Sequence, residues 1–189
     1  MNDKGKNDLE NAMIGRRSIK KFKSDPVAID EVIELLNVAK WAPNHKLTEP
    51  WRFQLYANEG KEKFVDAFLA SQMRDSNLPD KAKKKAEYFR EIPLHLVVYM
   101  PEPSRQKQWD EDFAAVSSFI QNFQLAAWER GIGMIWRTND WINDPVFKGA
   151  VGIKSDEKII GTLMIGYPKH VPEVQERTDI RELLTIIDQ

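Results

Sequence analysis

Gly131-Ile132-Gly133-Met134-Ile135-Trp136-Arg137-Thr138 separates two fold classes. Gly-x-Gly beside an apolar run invites a dinucleotide-binding reading, in which a strand enters a glycine-rich turn that opens a helix. Here the order is reversed. The residues before the glycines, Trp109–Arg130, repeat apolar positions at helical spacing: Phe113, Val116, Ile120, Phe123 and Ala127, widened by Phe119, Ala126 and Trp128. The residues after them, Ile132–Thr138, read as a strand. Gly131 is therefore a helix-capping residue, and Trp136, Arg137 and Thr138 form either a site rim or plain surface.

The same test extends outward. Leu9–Arg17, Ile29–Lys40, Lys61–Gln72, Pro79–Glu91 and Pro145–Val151 read as helices. In Ile29–Lys40 the apolar stripe is Val32, Ile33, Leu36 and Ala39, with Asp30 and Glu31 favouring its N-terminal end. Trp51–Tyr56 alternates and reads as a strand with one buried face, whereas Ile92–Met100 is almost wholly apolar and reads as a strand covered on both faces. Lys158–Tyr167 reads as a last central strand. Helices outnumber strands and the crossings are long, so the expected class is α+β, a helix-wrapped sheet. No linker divides residues 1–189, which are expected to form a single domain.

Composition narrows the function classes. The chain has 189 residues, 42% of them hydrophobic, with 28 Lys+Arg against 29 Asp+Glu. A net charge of −1 gives no bulk attraction to nucleic acid or anionic membrane. Cysteine is absent, which removes disulfides, thiolate nucleophiles and Cys-based metal sites. His45, His95 and His170 are far apart, in no zinc-binding pattern. The N-terminal stretch is polar, no apolar run approaches the roughly 20 residues a spanning helix needs, and a soluble, cytoplasmic protein is expected.

Two other segments carry possible chemistry. Arg16-Arg17-Ser18-Ile19-Lys20-Lys21 reads either as a solvated turn whose cations suit a helix C-terminus or as an anion clamp. In the clamp, Arg supplies a planar fork for phosphate, Ser a hydroxyl and Lys a point charge. Ala42-Pro43-Asn44-His45-Lys46-Leu47-Thr48-Glu49-Pro50 is either a stiff connection or a polar loop lining a site. Lys81–Lys85 reads as a solvated helix face, and Asp110, Glu111 and Asp112 as acidic residues opening a helix.

Together these pieces resemble the nitroreductase family of flavin enzymes. Arg16-Arg17-Ser18-Ile19-Lys20-Lys21-Phe22 is similar to its N-terminal R-R-S-x-R-x-F signature. Ala42-Pro43, with Pro50-Trp51-Arg52-Phe53, is similar to its A-P-S…Q-P-W-x-F segment. Gly131 to Thr138, then Gly161 and Gly166-Tyr167-Pro168, is similar to its C-terminal half. The resemblance spans roughly residues 9 to 180 and is nearest to the compact bacterial NAD(P)H nitroreductases. It implies a three-layer sandwich around a mostly antiparallel sheet, in an obligate homodimer with two FMN sites at the subunit interface. It further implies that Arg16, Arg17, Ser18 and Lys20 hold the flavin's phosphate, ribityl chain and pyrimidine edge. Asn44 and His45 would reach that flavin from the partner subunit. Trp136, Arg137 and Thr138 would line the isoalloxazine, and Arg177 would be a late phosphate ligand.

The implied reaction is ping-pong. NAD(P)H reduces FMN, which then reduces a nitroaromatic or quinone-type acceptor. The chemistry belongs to the cofactor, and Arg17 and Lys20 would stabilise the reduced ring electrostatically. A non-catalytic FMN-binding or sensing module, or a specialised flavin enzyme of the same fold, is the alternative. Lys20, Leu47 and Glu49 depart from the commoner Arg, Asn and Gln of the family.

Overall fold

The computed structural model describes residues 8–73, 75 and 77–188. The reading of the N-terminal stretch as polar and leaderless falls mainly on residues 1–7, outside the described residues. Among the described residues, six α-helices and four strands follow one another as α1 (Asp8–Gly15), α2 (Ile29–Ala39), β1 (Arg52–Ala57), α3 (Lys61–Gln72), α4 (Asp80–Glu91), β2 (Leu94–Pro101), α5 (Gln106–Glu129), β3 (Gly133–Arg137), α6 (Pro145–Ala150) and β4 (Glu157–Gly166). The class is α+β, as expected. The strands form one antiparallel sheet in the order β1-β2-β4-β3. Among the described residues no helix is long and apolar enough to cross a membrane.

Each face of the sheet carries its own core. Leu94, Leu96, Val98 and Met100 of β2 pack with Val32, Leu35 and Ala39 of α2 and with Val116, Phe119, Ile120 and Phe123 of α5. Val97, Ile135 and Met164 meet Phe64 and Phe68 of α3, Phe89 of α4 and Phe147 of α6 on the other face. A strand covered on both sides has no position for a polar residue, which is why Ile92–Met100 reads as it does. The exception is His95, wholly buried on the second face. Its ring stacks on Phe64 (centroids 4.3 Å apart, planes 10° apart) and its Nε2 lies 2.8 Å from the Phe89 carbonyl.

Two expectations need correcting. β1 is not covered on one side only: Phe53 and Leu55 face the first core, but Tyr56 packs into the second, against Phe64. The Lys81–Lys85 face is not all solvated. Lys85 is half-buried, with Nζ 5.5–5.6 Å from the ring centroids of Phe68, Phe89 and Trp141. Burial lowers its pKa, helped by the charges of Arg137 and Lys81. Three ring faces compensate the ammonium for part of its lost hydration.

The sheet is irregular where β4 meets β2. Val98 pairs with Gly161 and Tyr99 with Ile159, so Ile160 is an extra residue, a β-bulge. Its carbonyl accepts from Trp136 Nε1 at 3.2 Å. A bulge crowds neighbouring side chains onto one face, and Gly161 makes the room: a Cβ there would lie 2.0 Å from Trp136 Nε1. Gly161→Ala is therefore expected to destabilise the fold by about 2–3 kcal/mol, lowering the thermal midpoint by roughly 5–10 °C. Calorimetry or thermal circular dichroism checks it, and an unchanged midpoint would mean the indole has somewhere else to go.

α5 ends as expected. Gly131 has φ +72, its N–H donates to Trp128 O and the Ile132 N–H to Ala127 O, each at 2.9 Å. This Schellman ending turns the chain directly into β3.

Candidate functional site

The basic turn after α1 is not a free loop. Its backbone runs extended beside the sheet, bridging Ser18 to Met134 of β3 and Phe22 to Pro168 after β4. Ile19 N–H donates to Met134 O at 3.1 Å, Lys23 N–H to Tyr167 O at 2.8 Å, and Lys169 N–H to Lys21 O at 2.9 Å. Ile19, wholly buried, anchors the segment. The cations on either side of Ile19 are thus held by sheet-type pairing to two other parts of the chain.

A cavity of about 440 Å³ opens against this segment, lined by Arg16, Arg17, Ser18, Lys20 and Lys21 and, from the C-terminal region, by His170, Glu173 and Arg177. Five of these side chains are cationic and one is a carboxylate. Two guanidinium nitrogens, Arg16 Nη1 and Arg17 Nε, are buried with no hydrogen-bond partner. Burial lowers the Arg16 pKa, and the Arg17 charge lowers it further. Buried donors without acceptors are costly; an anion with several oxygens would satisfy them.

Arg16 and Arg17 play different parts. Arg17 Nη2 donates to Ile14 O at 2.7 Å and Nη1 donates to Arg16 O, so part of this guanidinium closes the end of α1. The helix-capping reading of the turn is realised there. Arg177 Nη1 donates to Gln175 O at 3.2 Å, which leaves its charge at the cavity wall.

A second cavity, about 590 Å³, shares Lys20 and Lys21 with the first and adds Tyr88, Glu91, Arg137 and Lys169. Tyr88 donates its hydroxyl proton to Lys20 O at 2.9 Å, which fixes the wall between the two. Arg137 therefore stands beside Lys20 and Lys21 rather than beside Arg16. Trp136 lines neither cavity, its indole being committed to the bulge, and Thr138 is exposed at the end of β3. Asn44 and His45 lie apart from both, in the loop before β1, where His45 borders a small cavity of about 180 Å³ with Asp112 and Arg105.

Tyr88, Lys169, His170 and Glu173 were not assigned to a site from the sequence. Lys169 and His170 directly follow Gly166-Tyr167-Pro168, so both carried a signal. Tyr88 sits in a charged helix and carried none.

The model of the Nitroreductase family matches residues 13–167. YfhC of Bacillus subtilis (strain 168), by name a provisional NAD(P)H nitroreductase, is 39% identical over 182 residues, covering 94% of this chain and 93% of the relative. A crystal structure of a nitroreductase-like family protein from Bacillus cereus superposes with a TM-score of 0.93 at 42% identity, covering both chains fully. NfnB, an FMN- and NADPH-dependent nitroreductase from Sphigopyxis sp. strain HMH, shares the fold with a TM-score of 0.75 at 16% identity, over 96% of this chain and 99% of that one. With a family match over most of its length and a relative well above 30% identity across nearly the whole chain, this protein belongs to the Nitroreductase family.

Proposed function

We propose that this chain is an FMN-dependent oxidoreductase in which NAD(P)H is the electron donor and a nitroaromatic or quinone-type compound the acceptor. The observation that carries it is the cavity with Arg16 Nη1 and Arg17 Nε buried and unpartnered. A phosphate monoester fits this donor set, because its oxygens accept from guanidinium in a planar fork. Arg16, Ser18 and Arg177 are the proposed phosphate ligands. Bound FMN would supply two-electron transfer, taken from NAD(P)H and passed on to the acceptor in a ping-pong cycle.

The protein's part is to bind, orient and polarise. Lys20, which borders both cavities, and Arg137, in the second, bring positive charge beyond the phosphate end. Fixed cations in a partly desolvated cavity lower the energy of any negative charge that builds up beside them. No side chain has to form a covalent bond, consistent with the absence of cysteine.

A homodimer with the flavin at the interface belongs to the same proposal. Supporting it are apolar side chains exposed on several elements: Met13 and Ile14 of α1, Ile33 of α2, Trp41 at 83% exposure, and Leu184 and Ile187 near the C-terminus. Surfaces this apolar on one chain favour a partner. Asn44 and His45, distant from the cation-lined cavity within one chain, are assigned to the flavin of the partner.

The test combines three readings on one preparation. The purified protein is expected to be yellow, to bleach anaerobically with NADPH or NADH, and to scatter light as a dimer. Steady-state rates at several donor and acceptor concentrations are expected to give parallel double-reciprocal lines. A colourless protein that takes up no FMN would overturn the reading, and intersecting lines would overturn the ping-pong order.

A further inference from the structure

The loop between α2 and β1 is folded against its own sequence. Lys46, Leu47 and Glu49 have φ of 54, 51 and 42, in the left-handed region that side-chain-bearing residues avoid. Such backbone persists only where the surroundings over-determine it. Several bonds hold this loop within itself or to its own end. Asn44 Nδ2 donates to Ala42 O at 3.2 Å, Asn44 Oδ1 accepts from Glu49 N–H at 3.0 Å, and Arg52 Nη1 donates to Glu49 O at 2.9 Å.

One bond leaves the neighbourhood. Thr48 Oγ1 donates to Asp112 Oδ1 at 3.0 Å, joining the loop to α5 across 64 positions of sequence. Asp112 is 6% exposed, unlike a residue that merely opens a helix. A carboxylate taken that far from water must have donors, and the one seen here comes from the strained loop. His45 and Asp112 border the same small cavity, so the tie lies beside the residues assigned to the flavin.

We propose that Asp112 is a positioning residue: its buried carboxylate fixes Thr48, and through Thr48 holds the left-handed loop that presents Asn44 and His45 to the partner's flavin. The proposal rests on the FMN reading above. Asp112 acts only through the loop.

The variants are Asp112→Ala, Asp112→Asn, Thr48→Val and Thr48→Ser. FMN affinity is measured by fluorescence titration of the flavin-free dimer, and loop mobility by trypsin cleavage after Lys46 in the same flavin-free protein. Asp112→Ala and Thr48→Val are expected to weaken FMN binding about 10-fold, as loss of a charge-assisted hydrogen bond implies, and to speed cleavage. Asp112→Asn and Thr48→Ser, which keep an acceptor and a hydroxyl, are expected to bind within about 2-fold of the parent. The double variant Asp112→Ala/Thr48→Val should be no weaker than either single one, because both remove the same tie. Thr48 is exposed, so Thr48→Val carries the test even if Asp112→Ala fails to fold. Parental FMN affinity and cleavage rate in Thr48→Val would overturn the proposal and leave the FMN reading standing. Failure of the parent to bind FMN would overturn both.

Discussion

Arg16→Ala with Ser18→Ala is expected to give a protein that folds and purifies without colour, its FMN affinity about 100-fold or more below the parent's. Each lost phosphate contact to a charged or hydroxyl donor is worth about 1.5–3 kcal/mol, and each 1.4 kcal/mol is about tenfold. The flavin-free variant is also expected to be at least as stable as the flavin-free parent. Arg16 keeps a buried nitrogen with no acceptor, and burial and the neighbouring Arg17 charge press its pKa downward. Removing it relieves that cost, because the bonds that close α1 come from Arg17. Calorimetry of the flavin-free proteins and the visible spectrum of the purified ones check the two halves. Stoichiometric FMN in the double variant would remove Arg16 and Ser18 from the site.

The second large effect is acid sensitivity arising from His95. Burial drives its pKa from 6.5 down to about 4, and the Phe89 carbonyl opposes this only in part. The folded protein therefore keeps the ring neutral where the unfolded chain protonates it. Between about pH 6.5 and pH 4 the unfolded state binds more protons, so stability falls as pH falls. The contribution is fully present above about pH 6.5, and roughly 3 kcal/mol of it is gone at pH 4. Urea unfolding across this range measures the slope. His95→Gln, which can still donate to the Phe89 carbonyl, is expected to lower stability at neutral pH and flatten the acid slope. A slope equal to the parent's would place the acid-sensitive group elsewhere.

The chain order around Gly131, helix then strand, was legible because one glycine in the left-handed region ends α5 and the next residues are apolar. The cations of the turn were legible as a cluster, but their division of labour was not. Whether an arginine closes a helix or lines a cavity depends on where its neighbours' carbonyls fall in space. Tyr56 and Lys85 were misread for a related reason. Each has a polar tip on a long apolar body, and spacing alone cannot say that the body lies against Phe64 or Phe89. Asp112 looked like a helix-opening acid because its partner, Thr48, is 64 residues away.

Pairing of Ser18 with Met134 has a consequence for colloidal behaviour. β3 is the outermost strand on its side of the sheet, and its sequence, Gly133-Met134-Ile135-Trp136-Arg137, is short and oily. A bare border of that kind recruits strands from other molecules and seeds aggregates. The cationic segment lies along it like a hem, and like charges discourage further additions. Nicking the chain ahead of Lys23 would therefore strip away more than a row of cations: it would leave a sticky selvedge, and turbidity should follow.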